Sequence, residues 1–225
     1  LINMIVGSAG FLIGAILGSL VKALADRSLA NNSFWGRSYC PKCRHQLAWY
    51  DLFPILSFVF LKGKCRYCKN QIGREYLVVE LVMGILIGFL FWQNFNALEL
   101  FSKIFFIVIL AVLFLTDLKK MFIPDRIIIP SIIIGGLLQF IIAVTKVGYL
   151  YYVLSQTVIG RLLLPPQSDY FQRHTLTIAQ PFALSLLMGL LIGGFFMSLV
   201  IITRGKGMGG GDVKLGAFIG IMLGF

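Results

Sequence analysis

Runs of apolar residues long enough to cross a bilayer dominate the chain, and polar residues are concentrated in the segments between them. A helix needs about 20 apolar residues to span the hydrocarbon. Five stretches approach that length: residues 5–21, 76–92, 98–116, 127–144 and 182–203. Each predicts a membrane-spanning helix. In the first, Gly7, Gly10, Gly14 and Gly18 recur every three or four residues and fall on one side of the helix, which predicts close packing against a neighbour. Pro130 is expected in the first turn of the fourth span, where its missing N–H is tolerated. The apolar stretch 52–61 is too short to span, so it packs under its surroundings or lies along the interface. Residues 146–180 mix apolar and polar positions, including Pro165, Pro166, Asp169, Arg173 and His174. They are expected on the outer side, with 149–164 as an interfacial helix.

Composition turns this pattern into a fold class. With 58% hydrophobic and 13% charged residues over 225 positions, and a mean hydropathy of +0.89, the chain is far from a soluble globular domain. It is expected to be an all-α polytopic membrane protein, a transmembrane helix bundle. The first run has no basic residue before it and no small-residue cleavage site, so it stays as a span and is not removed as a signal. The chain starts at Leu1, not at Met, and stops at Phe225 inside an apolar run that begins after Lys214. It reads as a fragment at both ends, with C-terminal spans beyond it.

The net charge of +11 could suggest a nucleic-acid partner, but the distribution of the charge argues for topology instead. Ten of the twenty Lys and Arg lie between Lys22 and Arg74, and six more are Lys119, Lys120, Arg126, Arg204, Lys206 and Lys214. By the positive-inside rule those segments are cytoplasmic, with anionic lipid headgroups or a partner's acidic residues as secondary readings and no nucleic acid.

The largest polar segment, 23–73, holds all four cysteines as Cys40-Pro41-Lys42-Cys43 and Cys65-Arg66-Tyr67-Cys68, with 21 residues between the pairs. Two Cys-x-x-Cys knuckles can close four thiolates around one tetrahedral ion. The alternative, two disulfides, needs an oxidising compartment, whereas the charge pattern places this segment in the cytosol. The expectation is a small cytoplasmic four-cysteine zinc-binding domain whose zinc is structural, because four thiolates leave no open coordination position for water. His45 is expected to stay at the surface.

Four carboxylates stand out by position. Glu80, one turn inside the second span, is either a functional group that contacts substrate or an interfacial carboxylate paired with Arg74. Asp117 follows an unbroken apolar run and is expected at the edge of the hydrocarbon, partly desolvated. Asp125, after Pro124, is expected to cap the fourth helix. Asp212 is presented by the loop Gly207-Met208-Gly209-Gly210-Gly211-Asp212-Val213-Lys214, in which Gly209 and Gly211 let a substrate backbone lie beside it. Asp117 and Asp212 both fall at the cytoplasmic end of a span.

Two carboxylates that share a site cannot both ionise easily. The ionised one can take a proton from water while the protonated one polarises a peptide carbonyl, which is the division of labour of an aspartic protease. There is no His-Glu-x-x-His for a metalloprotease, and the two histidines, His45 and His174, fall in different compartments, which removes a Ser-His-Asp triad. A Walker-type phosphate loop needs Gly-Lys-Ser/Thr where this chain has Asp212.

These residues resemble the type IV prepilin peptidases, bifunctional leader peptidase/N-methyltransferases of bacterial membranes. The resemblance is carried by Cys40-Pro41-x-Cys43 with Cys65-x-x-Cys68, by Glu75-Tyr76-x-Val78-x-Glu80-Leu81, by Asp117 with Pro124-Asp125, and by Gly207 to Leu215. It implies catalytic aspartates at Asp117 and Asp212 and a zinc-bound cytoplasmic domain at 23–75, between a first transmembrane helix at 1–22 and a multi-span peptidase domain at 76–225. It also implies cleavage of a basic leader from prepilin or pseudopilin helices at the cytoplasmic face of the inner membrane. Methylation of the new N-terminus by S-adenosylmethionine would follow, through residues the resemblance does not locate. The family's Asn after the first span is absent here, where the chain reads Gly18-Ser19-Leu20-Val21-Lys22-Ala23. Two other readings stay open: a non-catalytic zinc-ribbon membrane scaffold whose aspartates cap helices, and a related membrane aspartyl peptidase with another substrate.

Overall fold

The computed structural model describes residues 2–30, 33–34, 36–40, 42–93, 95–165, 168–205 and 207–224, with backbone alone at 2, 3 and 49. Pro41, Pro166 and Lys206, singled out above, lie outside the described residues. Eight α-helices and one 3-10 turn account for the fold, and no strand occurs among the described residues. Five of the helices are long and apolar enough to cross a membrane. The chain divides into two compact units, residues 1–122 and 123–225.

The first unit holds α1 (Ile2–Leu29), the 3-10 turn Trp49–Leu52, α2 (Leu56–Phe60), α3 (Arg74–Trp92) and α4 (Ala97–Lys120). The glycine spacing of α1 does what the sequence predicts. Gly7 lies beside Gly88 and Trp92, Gly14 beside Met83 and Gly84, and Gly18 beside Glu80, so α1 and α3 pack antiparallel at backbone distance. A Cβ at Gly14 would run into the Met83 carbonyl, and one at Gly18 would sit 2.8 Å from the Glu80 Cα. α1 does not stop at Lys22 but runs two turns further, because Lys22 is buried and bonds Asp26 one turn on.

The second unit holds α5 (Asp125–Ser155), α6 (Val158–Leu162), α7 (Tyr170–Ile202) and α8 (Gly210–Leu223). α8 packs on α7 through a second small-residue seam, in which a Cβ at Gly220 would lie 2.6 Å from the Met188 carbonyl. It packs on α5 through fully buried Phe218 and through Gln139 Nε2, which donates to the Met222 carbonyl at 3.1 Å. The expected interfacial helix at 149–164 is not a separate element: its first half continues α5, and only α6 stands apart. At 31 and 33 residues, α5 and α7 are about 47 and 50 Å long, well beyond the roughly 30 Å of hydrocarbon, so part of each projects out of it. Because α5 begins at Asp125, Pro130 falls past the first turn, inside the helix. It breaks one backbone bond there, and Ser131 Oγ donates to the Ile127 carbonyl at 2.7 Å beside the gap.

Candidate functional site

The cysteine segment is built as two copies of one knuckle. In the first, Cys40 N–H donates to His45 O at 3.0 Å and Arg44 N–H to Cys40 O at 2.8 Å; in the second, Cys65 N–H donates to Asn70 O at 2.8 Å and Lys69 N–H to Cys65 O at 2.9 Å. Arg44 and Lys69 take the same left-handed conformation, with φ of 58° and 57°. Tyr39 pairs with Gln46, and Lys64 with Gln71, each as an isolated bridge. The repeat of Cys-x-x-Cys followed by a basic residue, a His or Asn and then Gln is visible in the sequence once the two segments are aligned. The turns deliver the four Sγ atoms within 4.8 Å of one another, with Cys40 and Cys65 buried and Cys43 and Cys68 exposed. Cys40 Sγ and Cys68 Sγ are 3.9 Å apart. Sulfurs bound to one tetrahedral zinc at about 2.3 Å lie about 3.8 Å from each other, whereas a disulfide needs about 2 Å. The set fits a metal ion, and all four cysteines are free.

Proton affinity is uneven across this set. Burial pushes the Cys40 thiol up, but backbone N–H groups of Cys43 and Lys42 and the thiols of Cys43 and Cys65 outweigh it and bring it down to about 7. The Asn70 backbone acts to lower Cys68, yet burial and the other three thiols raise it to about 11. His45 stays outside the cluster and lies against the Tyr67 ring, centroids 3.7 Å apart.

A second polar centre lies where α1, α3 and α4 meet. Lys22 is 1% exposed. Its Nζ lies 3.0 Å from Asp26 Oδ1 and 3.2 Å from Glu75 Oε2, while Lys119 Nζ lies 2.9 and 3.2 Å from the same two oxygens. Two cations and two carboxylates therefore alternate in a ring. Tyr76 closes it, donating its hydroxyl to Asp26 at 3.0 Å and stacking its ring under Lys22. The sequence reading did not find this ring; its signal was the i,i+4 spacing of Lys22 and Asp26. The ring fixes the last turn of α4, the turn that carries Asp117.

Asp117 itself is exposed, and its carbonyl accepts the Met121 N–H that ends α4. The protein does not bury the side chain, so the desolvation expected there depends on the bilayer. Pro124 takes the N-cap position of α5 and Asp125 sits in the first turn, where it pairs with Lys214 Nζ at 2.6 Å. The glycine loop is shorter than expected, because α8 already begins at Gly210 and Asp212 sits in its first turn. There Asp212 Oδ2 accepts the Gly209 N–H at 3.3 Å, at the positive end of the helix dipole. Gly209 has open space around its Cα, whereas a Cβ on Gly211 would lie 3.0 Å from Ile123 Cβ. Asp117 belongs to the first unit and Asp212 to the second.

Glu80 is 8% exposed and accepts the Ile55 N–H at 2.8 Å, tying the segment between the knuckles to α3. It does not pair with Arg74 among the described contacts. Asp51 is held by Arg66 Nε at 2.7 Å, by the Tyr67 hydroxyl at 3.2 Å and by the Ala48 N–H at 3.3 Å.

Comparison with known proteins decides the family. A model of the type IV leader peptidase family matches residues 104–225, more than half of the chain, and one of the bacterial peptidase A24 N-terminal domain matches 12–94. The chain belongs to the type IV leader peptidase family. Its relatives include the prepilin leader peptidase/N-methyltransferase of Bacillus subtilis, 34% identical over 215 residues, 95% of this chain and 72% of the relative. The protein of that name from Vibrio cholerae is 32% identical over 159 residues, covering 59% and 63% of the two chains. The one from Aeromonas salmonicida is 29% identical over 189 residues, covering 84% and 54%. No solved structure matches the chain. A leader peptidase with membrane helices and a four-cysteine cluster is the type of protein described above.

Proposed function

We propose that the chain is an intramembrane aspartic endopeptidase that removes the basic leader of type IV prepilins or pseudopilins, with Asp117 and Asp212 as its catalytic pair. The observation that carries this reading is the family match over 104–225, the segment that contains both carboxylates. Their local settings support it. Asp117 lies near the end of an apolar helix, just before Lys119 and Lys120, and Asp212 opens another, between Arg204 and Lys214. By the positive-inside rule both borders face the cytoplasm of a bacterial inner membrane.

One aspartate, ionised, takes a proton from water as the water oxygen attacks the scissile carbonyl carbon. The other, protonated, donates a hydrogen bond to the carbonyl oxygen that gains charge. When the tetrahedral species collapses, the C–N bond breaks and the departing nitrogen receives a proton. The open backbone at Gly209 gives the substrate chain room beside Asp212. The pilin's apolar helix would lie in the bilayer, with its leader in the cytosol.

Cys40, Cys43, Cys65 and Cys68 would hold a zinc ion that folds the 40–71 segment and leaves no coordination position for water. N-methyl transfer is the second activity that the relatives' names carry; here it would take S-adenosylmethionine as donor and the new N-terminus as acceptor, and no residue of this chain is assigned to it.

The test replaces Asp117→Asn and Asp212→Asn separately and reads the N-terminus of a co-expressed prepilin by mass spectrometry. Each variant is expected to lose cleavage by roughly 100-fold or more. Retained processing in either would leave that aspartate a helix-end residue and return the scaffold reading. The same spectrum reports whether the mature N-terminus carries a methyl group.

A further inference from the structure

We propose that the segment between the two knuckles, residues 53–60, is a membrane-surface anchor. In this assignment Phe53, Leu56, Val59 and Phe60 enter the lipid interface on the side of the bilayer that carries the four cysteines. These side chains are 50%, 56%, 60% and 81% exposed. Leu56, Val59 and Phe60 share the single short helix α2, and exposed apolar side chains this close together mark a contact surface. They do not turn under the knuckles: the aromatic of this stretch that packs inward is Phe58, whose ring would lie 3.0 Å from a Cβ on Gly63.

The depth of the segment follows from its tether. α3 has 19 residues and is about 28 Å long, barely enough for a hydrocarbon layer of about 30 Å, so its first residue, Arg74, lies close to the edge of that layer. Glu80 is six residues further in, about 9 Å deeper along the axis, and its side chain leans back toward the helix N-terminus. The 2.8 Å bond from Ile55 N–H to Glu80 Oε2 therefore holds the start of α2 at the hydrocarbon edge, not above the headgroups. Ile55 is held at φ 62° and ψ −54°, a region that a β-branched residue avoids, so the tether has a definite geometry to maintain.

Charge favours lipid as the occupant. The sequence from Leu52 to Arg74 contains no acidic residue, and Lys62, Lys64, Lys69 and Arg74, which follow the apolar stretch along the chain, are all exposed. An apolar face flanked by lysines matches anionic headgroups above and acyl chains below. A basic leader peptide would be repelled by the same lysines.

The full chain in nanodiscs of phosphatidylcholine and phosphatidylglycerol tests the assignment. Photoreactive benzoylphenylalanine is placed at position 60 or 53, and adducts are located by mass spectrometry with and without a prepilin peptide. Acyl-chain adducts are expected at both positions, unchanged by the peptide. Adducts to protein or peptide, with none to lipid, would overturn the anchor. In a second chain, Val59→Asp with Phe60→Asp should abolish the lipid adduct at position 53 while helix content is unchanged, since both side chains are exposed. A lipid adduct that persists undiminished at position 53 would overturn it equally.

Discussion

Gly209 and Gly211 flank one turn and act differently. Gly209 is extended, at φ −88° and ψ 158°, and a Cβ added there would meet nothing closer than the Gly211 nitrogen at 4.0 Å, so alanine fits there without strain. A Cβ on Gly211 would lie 3.0 Å from Ile123 Cβ, so the Ile123 side chain would have to give way. Gly209→Ala should therefore slow prepilin cleavage roughly tenfold or more by crowding the substrate path, with the thermal midpoint unchanged. Cleavage at the parental rate would remove Gly209 from that path. Gly211→Ala is expected to lower the midpoint as well, because it displaces Ile123 whatever the substrate does. Lys22 offers a different residue-scale test. Lys22→Met removes one cation from the ring, but Lys119 remains and the carboxylates are 33% and 62% exposed. The cost is then about 2 kcal/mol, below that of a fully buried pair, read as a lowered unfolding midpoint in detergent. A midpoint equal to the parent's would mean that the ring does not stabilise the junction of α1, α3 and α4. Such residue detail was only partly legible in the sequence. Asp125 was expected at a helix start and does open α5, but its pairing with Lys214, 89 positions away, could not be read from the sequence around it.

At the scale of elements, the knuckles and the glycine seams make the clearest predictions. Chelation of the proposed zinc should loosen residues 40–71, measured as faster amide exchange there, while exchange in α3 and α4 stays slow. Uniform protection after chelation would mean that the segment folds without metal. Thiols must lose protons to bind, so metal retention should weaken as pH falls. The α1–α3 seam is equally specific. Gly14→Ala drives a Cβ into the Met83 backbone and should cost about 1–3 kcal/mol as overpacking. Gly7→Ala should cost far less, since the added Cβ would meet the Gly88 carbonyl oxygen at 3.7 Å, an ordinary contact distance. Equal effects of the two would show that the close approach at Gly14 can relax. The seam was legible beforehand because a spacing of three and four places glycines on one helix face. The partner helix was not, because spacing says nothing about what lies opposite.

For the molecule as a whole, hydropathy located the five long helices, since a continuous apolar run of that length has few alternatives in lipid. Their ends were harder to read. α1 continues past Lys22 because a distant glutamate and a lysine neutralise its last turns, and α5 and α7 extend well beyond the apolar runs that mark them. Helix ends outside the hydrocarbon are set by such local partners, which hydropathy does not register. Topology, in contrast, should follow charge alone. The segments 22–74, 117–126 and 204–214 carry sixteen of the twenty basic residues, ten in the first and six in the other two, and an odd number of spans separates each from 93–97 and 156–169. Reporter fusions ending at residues 70, 122 and 206 should therefore report the cytoplasm, and fusions at 95 and 168 the opposite face. A fusion at 122 facing away from one at 206 would place Asp117 and Asp212 on opposite sides of the membrane, and no shared aspartic site could then exist.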